Sequence, residues 1–176
     1  WLNEVRARSA FYLKLGPPVG YAYPVIATRL AVGAMDGPLP DNLSVGGVSS
    51  GAAELAFAQT VGTFRTFPVR GYPSGAARGR RAATATVEYR VPLALIGKSL
   101  GHLPFGADKV AFAVFGDIGE AWDPGEPVRL QELRSFGAEL VADVTVSYDL
   151  PLRLRLGVAR PATGDTQVYG AFAADF

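Results

Sequence analysis

The chain contains no cysteine, one histidine (His102) and one methionine (Met35). The absence of cysteine excludes disulfides, thiolate zinc sites and cysteine nucleophiles. A single histidine excludes a histidine-rich metal site, and the GxSxG motif of serine hydrolases is missing. No run of about 18 apolar residues occurs, so we expect no transmembrane helix. The chain begins at Trp1 without a signal peptide, and we therefore expect a processed or partial chain.

The net charge is also small, because 17 Lys and Arg residues are nearly balanced by 16 Asp and Glu residues. This balance gives no electrostatic reason to expect a nucleic-acid partner. Hydrophobic residues make up 49% of the 176 residues, which indicates a folded chain and, at this length, one domain. Glycine (21) and proline (13) are frequent, as are aromatic residues (11%). This composition favours many strands separated by marked turns.

Apolar and polar side chains alternate with a period of two along much of the sequence. In residues 83–93, Val87 and Leu93 share one face of a strand, whereas Glu88 and Arg90 share the other. The pattern predicts an all-β chain with antiparallel strands, about seven in number. The predicted strands cover residues 5–15, 21–34, 83–93, 109–118, 135–146, 150–158 and 166–176.

The predicted strands are joined by connections of very different length. Residues 16–19 and 147–149 are short turns, whereas residues 96–107 and 119–130 form longer connections. Residues 36–81 form a connection of about 45 residues, which is unusual in an all-β unit and indicates a functional loop. Within it, the alanine-rich residues 51–60 suggest a short helix.

The alternation fits either a soluble β-sandwich or a transmembrane β-barrel. Three features favour the barrel: bulky charges on the polar face, such as Glu139 and Arg153, long strands, and a final strand that ends at Phe176. Seven strands do not make a complete bacterial barrel, because single-chain barrels have even counts of eight or more. We therefore expect an unrecognised strand or further strands before Trp1.

Five motifs occur in an order that resembles one known family. They are Val69-Arg70-Gly71-Tyr72, Glu88-Tyr89-Arg90-Val91-Pro92, the segment 115–123, Arg134-Ser135-Phe136-Gly137, and the aromatic-ended segment 169–176. Together they resemble the carboxyl-terminal half of the bacterial surface antigen superfamily, the BamA/TamA-like barrels that assemble or translocate outer-membrane proteins. The resemblance covers residues 65–176 well and the first 64 residues loosely. The Gly46-Gly47 pair lies farther ahead of Arg70 than the family pattern requires.

The resemblance implies that residues 1–176 are the carboxyl-terminal part of a sixteen-stranded transmembrane β-barrel and contribute its last seven strands. The long connection then corresponds to an extracellular loop whose tip, Arg70, Gly71 and Tyr72, folds back into the lumen. There Arg70 is expected to pair with Glu88 and Asp117 as a strut. The alternation independently places both acids on the polar face. The implied terminal assembly signal consists of Gly170, Phe172 and Phe176.

The implied function is insertion or translocation of polypeptides by strand templating at a lateral seam in the bacterial outer membrane. It implies no enzymatic activity, no catalytic residues, no metal and no cofactor. The expected partners are outer-membrane lipids, client outer-membrane or secreted polypeptides and accessory lipoproteins, but no nucleic acid. One alternative is a barrel that anchors or secretes a fused amino-terminal domain, and another is a soluble β-sandwich binding module. The basic residues Arg78, Arg80 and Arg81 are interpreted as a solvated loop edge.

Overall fold

A computed structural model describes residues 3–37, 42–48, 66–99, 105–128, 133–147 and 150–174. These residues form strands and turns without a helix, which confirms the prediction of an all-β chain. No helix capable of crossing a membrane occurs in these ranges. The strands are β1 (Asn3–Lys14), β2 (Val25–Asp36), β3 (Leu43–Val45), β4 (Thr66–Phe67), β5 (Ala77–Gly79), β6 (Arg81–Ser99), β7 (Phe105–Trp122), β8 (Leu133–Val146), β9 (Leu150–Pro161) and β10 (Gln167–Ala174).

Seven of these strands form one large antiparallel sheet in the order β1-β2-β6-β7-β8-β9-β10. Each strand pairs with its neighbour in the antiparallel sense, so the sheet is a meander interrupted only by the long connection between β2 and β6. The seven predicted strands correspond to the seven strands of this sheet, and the described residues contain three further short strands that were not predicted. Within the described residues, β1 and β10 are the two edges of this sheet.

Strands β6 and β7 are longer than the sequence pattern predicts. The predicted connection 96–107 is strand up to Ser99 and again from Phe105, and β7 continues to Trp122. The pairing of β6 with β7 shifts register between Pro92 and Ala94 and again between Leu95 and Lys98. A bulge interrupts the period of two, and proline removes one ladder donor. The alternation therefore ends at the first bulge although the strand does not.

The long connection contains a second, small sheet with the order β4-β3-β5. Strand β3 is parallel to β4 and antiparallel to β5. The helix predicted for residues 51–60 lies outside the described residues. The core of the small sheet is apolar and fully buried, and it packs on residues of the large sheet. The buried cluster consists of Leu43, Val45, Phe67 and Val69 together with Met35, Ala82 and Leu133.

The small sheet lies against one face of the large sheet, which we call the inner face. Two glycines on this face allow the close approach. A Cβ at Gly33 would lie 2.5 Å from Cζ of Phe67, and a Cβ at Gly119 would lie 2.7 Å from Cγ2 of Val69. Any larger side chain at these positions would displace the small sheet. We call the end of the large sheet where β6 begins and β7 ends the loop end.

The polarity of the large sheet is inverted relative to that of a water-soluble protein. The inner face carries the buried charged residues Glu88, Asp117 and Glu139, which are at most 2% exposed. The opposite, outer face is apolar and exposed: Phe136 is 67% exposed and Leu156 is 65% exposed. Further exposed apolar residues on the outer face are Val5, Phe11, Leu13, Leu30, Val32, Val87, Phe112, Val114, Ile118, Leu140, Leu154, Val158 and Val168.

Candidate functional site

The tip of the long connection is held in place by a pair of glycines. Gly46 donates its backbone N–H to the carbonyl of Phe67 over 2.9 Å, and Gly47 donates to the carbonyl of Tyr72 over 3.0 Å. Gly46 has φ 120°, and a Cβ there would lie 2.3 Å from the carbonyl oxygen of Pro73. The Gly46-Gly47 pair thus holds the backbone on both sides of Arg70 by hydrogen bonds, although it lies far from Arg70 in sequence.

Gly71 and Tyr72 connect the loop tip to strands β9 and β8 of the large sheet. Gly71 has φ 87°, in the region that favours glycine, and a Cβ there would lie 3.0 Å from the Cβ of Ala159 on β9. The Tyr72 hydroxyl donates to the carbonyl of Arg134 on β8 over 3.0 Å. These contacts direct the side chain of Arg70 along the inner face.

Arg70 forms a bidentate ion pair with Asp117 on β7. Its Nε lies 2.7 Å from Oδ2 of Asp117, and its Nη2 lies 2.7 Å from Oδ1. The backbone N–H of Arg70 also donates to Oδ2 over 3.1 Å. The planar guanidinium matches the two carboxylate oxygens, a geometry that lysine cannot reproduce. Asp117 therefore holds both the main chain and the side chain of the loop tip.

The remaining edge of the guanidinium contacts Glu88 on β6. Nη1 of Arg70 lies 2.9 Å from Oε1 of Glu88. The same oxygen accepts from Nη2 of Arg29 on β2 over 2.8 Å, and the other oxygen, Oε2, accepts from Nε of Arg90 over 2.8 Å. Glu88 is 1% exposed, accepts hydrogen bonds from three arginines, and has a fourth, Arg155, 3.9 Å from its Oε1. Its negative charge thereby offsets repulsion between positive side chains from several parts of the chain.

Glu139 on β8 extends the network to the last two strands. Its Oε1 lies 3.3 Å from Nη1 of Arg70 and accepts a short hydrogen bond from the hydroxyl of Tyr169 on β10. Its Oε2 accepts from Arg155 on β9, with Nη2 at 2.6 Å. One contiguous network of ion pairs and hydrogen bonds thus joins the loop tip to β2, β6, β7, β8, β9 and β10. We call these residues the arginine clamp: Arg29, Arg70, Glu88, Arg90, Asp117, Glu139, Arg155 and Tyr169.

The Phe115 ring stacks on the guanidinium of Arg70, with Cζ 3.5 Å from the ring centroid. Burial would by itself lower the pKa of Arg70. The hydrogen bonds and negative charge of Asp117, with the charges of Glu88 and Glu139, outweigh burial and raise that pKa above its ordinary value. Arg70 is therefore a fixed positive charge, and its 4% exposure leaves it little contact with water.

The chemistry of the clamp is that of a structural connection. All six oxygens of Asp117, Glu88 and Glu139 accept from arginine, tyrosine or the backbone N–H of Arg70. No group of acids and histidines in the described part of the chain could hold a metal ion. A carboxylate that already accepts charged hydrogen bonds on both oxygens is a poor proton acceptor for catalysis.

The structure brings together the residues that the sequence placed at the loop strut. Arg70 contacts Glu88 and Asp117 directly, while Gly71 and Tyr72 fix the tip. Sequence reasoning did not include Arg29, Glu139, Arg155, Tyr169 or Phe115 in the site. The alternation had placed Glu139 and Arg155 on the polar face, but their contacts depend on the register between strands. Gly157 is a further feature of the site, because the absence of a side chain there leaves space for Tyr169.

The residues of the expected terminal signal are described only in part. Gly170 is exposed on the outer face of β10, and a Cβ there would lie 3.5 Å from Cδ2 of Leu156. The backbone of Phe172 pairs with Leu154. The side chain of Phe172 and the whole of Phe176 lie outside the described part of the structure. Their expected role therefore stays a prediction.

One member of the basic cluster has a specific partner. Nη2 of Arg80 lies 2.7 Å from Oδ1 of Asp36, and the backbone N–H of Arg80 donates to Asp123. Arg78 and Arg81 are exposed, as expected for a loop edge. Arg80 thus ties the end of β2 to the turn after β7, a contact that the sequence interpretation did not include.

Comparison with protein-family models, with curated proteins and with solved structures gave no match for this chain. The geometry of the sheet and the clamp and the order of motifs in the sequence are therefore the observations that bear on function.

Proposed function

We propose that this chain forms the carboxyl-terminal part of a bacterial outer-membrane β-barrel that inserts or translocates other polypeptides. The apolar outer face would contact lipid, and the inner face would line the lumen. The arginine clamp would hold the loop tip inside the barrel. The free edge of β10 would offer backbone hydrogen-bonding groups to a client strand at the seam.

The observation that carries the membrane proposal is the inverted polarity of the large sheet. Exposed apolar side chains such as Phe136 and Leu156 on the outer face are unfavourable in water but favourable in lipid. The second sheet of a β-sandwich would cover the apolar face. Here the small sheet lies on the opposite, charged face, which argues against the sandwich alternative.

The height of the apolar surface fits a bilayer. On β8 the outer-face positions from Phe136 to Val146 carry only apolar side chains. These ten residue steps span about 34 Å at about 3.4 Å per residue. With a barrel tilt of about 40°, the height is about 26 Å, close to the apolar band of about 25 Å in outer-membrane barrels.

The topology favours a larger barrel over closure of this sheet on itself. With seven strands in an antiparallel meander, the edge strands β1 and β10 run in the same direction. Direct closure would pair them in the parallel sense. Continued antiparallel pairing requires an odd number of additional strands between these edges, which agrees with the sixteen-stranded barrel that the motifs suggest.

The membrane proposal can be tested with two neighbouring residues of β1. Ala10 lies on the inner face and Phe11 on the outer face, and both are exposed. Because residues 1–176 contain no cysteine, Ala10→Cys and Phe11→Cys each introduce the single thiol of these residues. We expect a water-soluble maleimide to label Ala10→Cys but not Phe11→Cys when the full chain is in vesicles. Equal labelling of both, with no dependence on vesicles, would contradict the proposal.

Insertion activity requires a separate test on the edge strand. Val168 is 84% exposed on β10, whereas Val87 lies in the middle of the sheet on β6. We expect vesicles that contain the full chain to accelerate folding of a urea-unfolded outer-membrane barrel. A cysteine in the last strand of that client should form a disulfide with Val168→Cys but not with Val87→Cys. Membrane insertion without acceleration or a disulfide would favour the anchor or secretion-pore alternative.

A further inference from the structure

We propose that three arginines at the loop end of the outer face, Arg81, Arg134 and Arg160, bind the phosphate groups of anionic lipids. We call them the outer arginine row. This inference rests on the proposed membrane location and adds a specific lipid site to it. It concerns the opposite face of the sheet from the arginine clamp.

The row is formed by three arginines that each lie within two residues of the loop end of their strand. Arg81 is the first residue of β6, Arg134 is the second residue of β8, and Arg160 is the last but one of β9. Arg160 pairs with the outer-face residue Phe136, and Arg81 pairs with Trp122 at the end of β7. All three arginines are exposed. The row therefore follows the loop end of the sheet from β6 to β9.

The row lies at the border of the apolar surface. Away from the loop end, each of these strands continues on the outer face with apolar and aromatic residues, such as Val87 on β6, Leu140 on β8 and Leu156 on β9. A side chain next to the lipid-facing band lies at the depth of the lipid headgroups. Trp122 lies on β7, between Arg81 and Arg134 in strand order, and tryptophan favours this interface.

The neighbouring acids leave the row positively charged. At the loop end, Asp36 is paired with Arg80, and Asp123 accepts the backbone N–H of Arg80. Glu120 pairs with Ala83 and so lies on the outer face between Arg81 and Arg134, where its single negative charge is outnumbered by the three arginines of the row. No ion pair of Arg81, Arg134 or Arg160 with a carboxylate is found among the described residues, and Arg160 donates only to the hydroxyl of Thr166. Exposed guanidinium groups bind phosphate oxygens through paired N–H donors. Lipid phosphate is therefore the ligand class that fits both the charge and the depth of the row.

The test compares two variants that lose the same charge. Arg81→Gln/Arg134→Gln/Arg160→Gln removes the row, and Arg6→Gln/Arg8→Gln/Lys14→Gln removes three positive charges from the inner face of β1. The full chain, with Trp1→Phe so that Trp122 is the only tryptophan, is inserted into vesicles of equal parts phosphatidylcholine and phosphatidic acid. Either lipid carries brominated acyl chains, and quenching of Trp122 fluorescence reports which lipid lies next to it.

For the chain with the row intact, we expect phosphatidic acid to quench Trp122 more strongly than phosphatidylcholine. Each arginine removed should lower this preference about fivefold, whereas the β1 variant should keep it. Equal preference in the two triple variants would overturn the proposal. Binding of inorganic phosphate to the row without any preference for phosphatidic acid would also overturn it, because the site would then bind free phosphate instead of lipid. Failure of every variant to insert would instead overturn the proposed membrane location, and with it this inference.

Discussion

Tyr169 of the last strand reaches across Gly157 and donates its hydroxyl to Glu139, two strands away. A Cβ at Gly157 would lie 2.5 Å from Cζ of Tyr169, so the absence of a side chain at this position leaves room for the tyrosine ring. Glu139 in turn lies 3.3 Å from Nη1 of Arg70. The orientation of β10 is thereby linked to the position of the loop tip. If β10 forms the seam, as we propose, the loop and the seam are mechanically connected through Glu139.

Removing the Tyr169 hydroxyl should weaken this link. In Tyr169→Phe the buried carboxylate of Glu139 loses a charge-assisted hydrogen bond, which typically contributes about 1.5–3 kcal/mol. We expect a decrease of that size in the free energy of unfolding, measured by urea titration in vesicles. The control is Tyr89→Phe, whose ring lies on the outer face and is 38% exposed. An equal effect of both substitutions would show that the hydrogen bond to Glu139 does not stabilise the fold.

A side chain at position 157 should have a similar effect through steric conflict. In Gly157→Ala the new methyl group would overlap Tyr169 and approach Cγ of Glu139 to 2.8 Å. We expect a loss of about 1–3 kcal/mol, as in other overpacked sites. Gly116→Ala is the control, because its nearest atom would be 4.0 Å away. In the background of Tyr169→Ala, the cost of Gly157→Ala should fall markedly. An unchanged cost would mean that the methyl group conflicts with something other than the tyrosine.

The sequence was informative wherever a strand obeyed the period of two. Alternation places Glu88 and Asp117 on the same face, and the motif order predicts their contact with Arg70, which the structure contains. Both observations concern β6, β7 and the loop that precedes them. They need no knowledge of how distant strands align.

The parts that could not be predicted depend on register or on broken periodicity. The contact of Tyr169 with Glu139 requires the alignment of β8, β9 and β10, which no single strand encodes. The extensions of β6 and β7 could not be predicted from alternation, because the bulges after Pro92 shift the pattern of apolar and polar residues. Strands β3, β4 and β5 have two or three residues each, too few for a period to be recognised.

Arg70 should not tolerate replacement by lysine. Arg70→Lys keeps the charge but cannot hold both oxygens of Asp117 and also reach Glu88. Breaking a buried ion pair typically costs about 3–5 kcal/mol. We expect Arg70→Ala to lose stability in that range and Arg70→Lys to lose at least half as much, measured by urea unfolding. Arg78→Lys, at an exposed position of β5, serves as the control. Full stability of Arg70→Lys would contradict a requirement for the bidentate geometry.

Loss of the buried Phe67 side chain should destabilise the small sheet more than the large sheet. Phe67 is fully buried and contacts the inner face at Gly33. Truncation of a buried phenylalanine to alanine typically costs about 3–5 kcal/mol. Because the lost packing lies between the small sheet and the large sheet, we expect Phe67→Ala to unfold the long connection locally. The strands of the large sheet should stay paired. The large sheet retains its own ladder of hydrogen bonds between β6 and β9.

Hydrogen exchange can locate this effect residue by residue. In Phe67→Ala the backbone amides of Gly46 and Gly47, which donate to Phe67 and Tyr72, should exchange much faster, while those of β8 and β9 stay protected. Val168→Ala, on an outer-face residue that is 84% exposed, should leave both sets unchanged. Uniformly faster exchange across the whole chain would mean that the loop and the large sheet unfold as one unit. In that case the arginine clamp alone would not be sufficient to keep the large sheet folded once the loop core is lost.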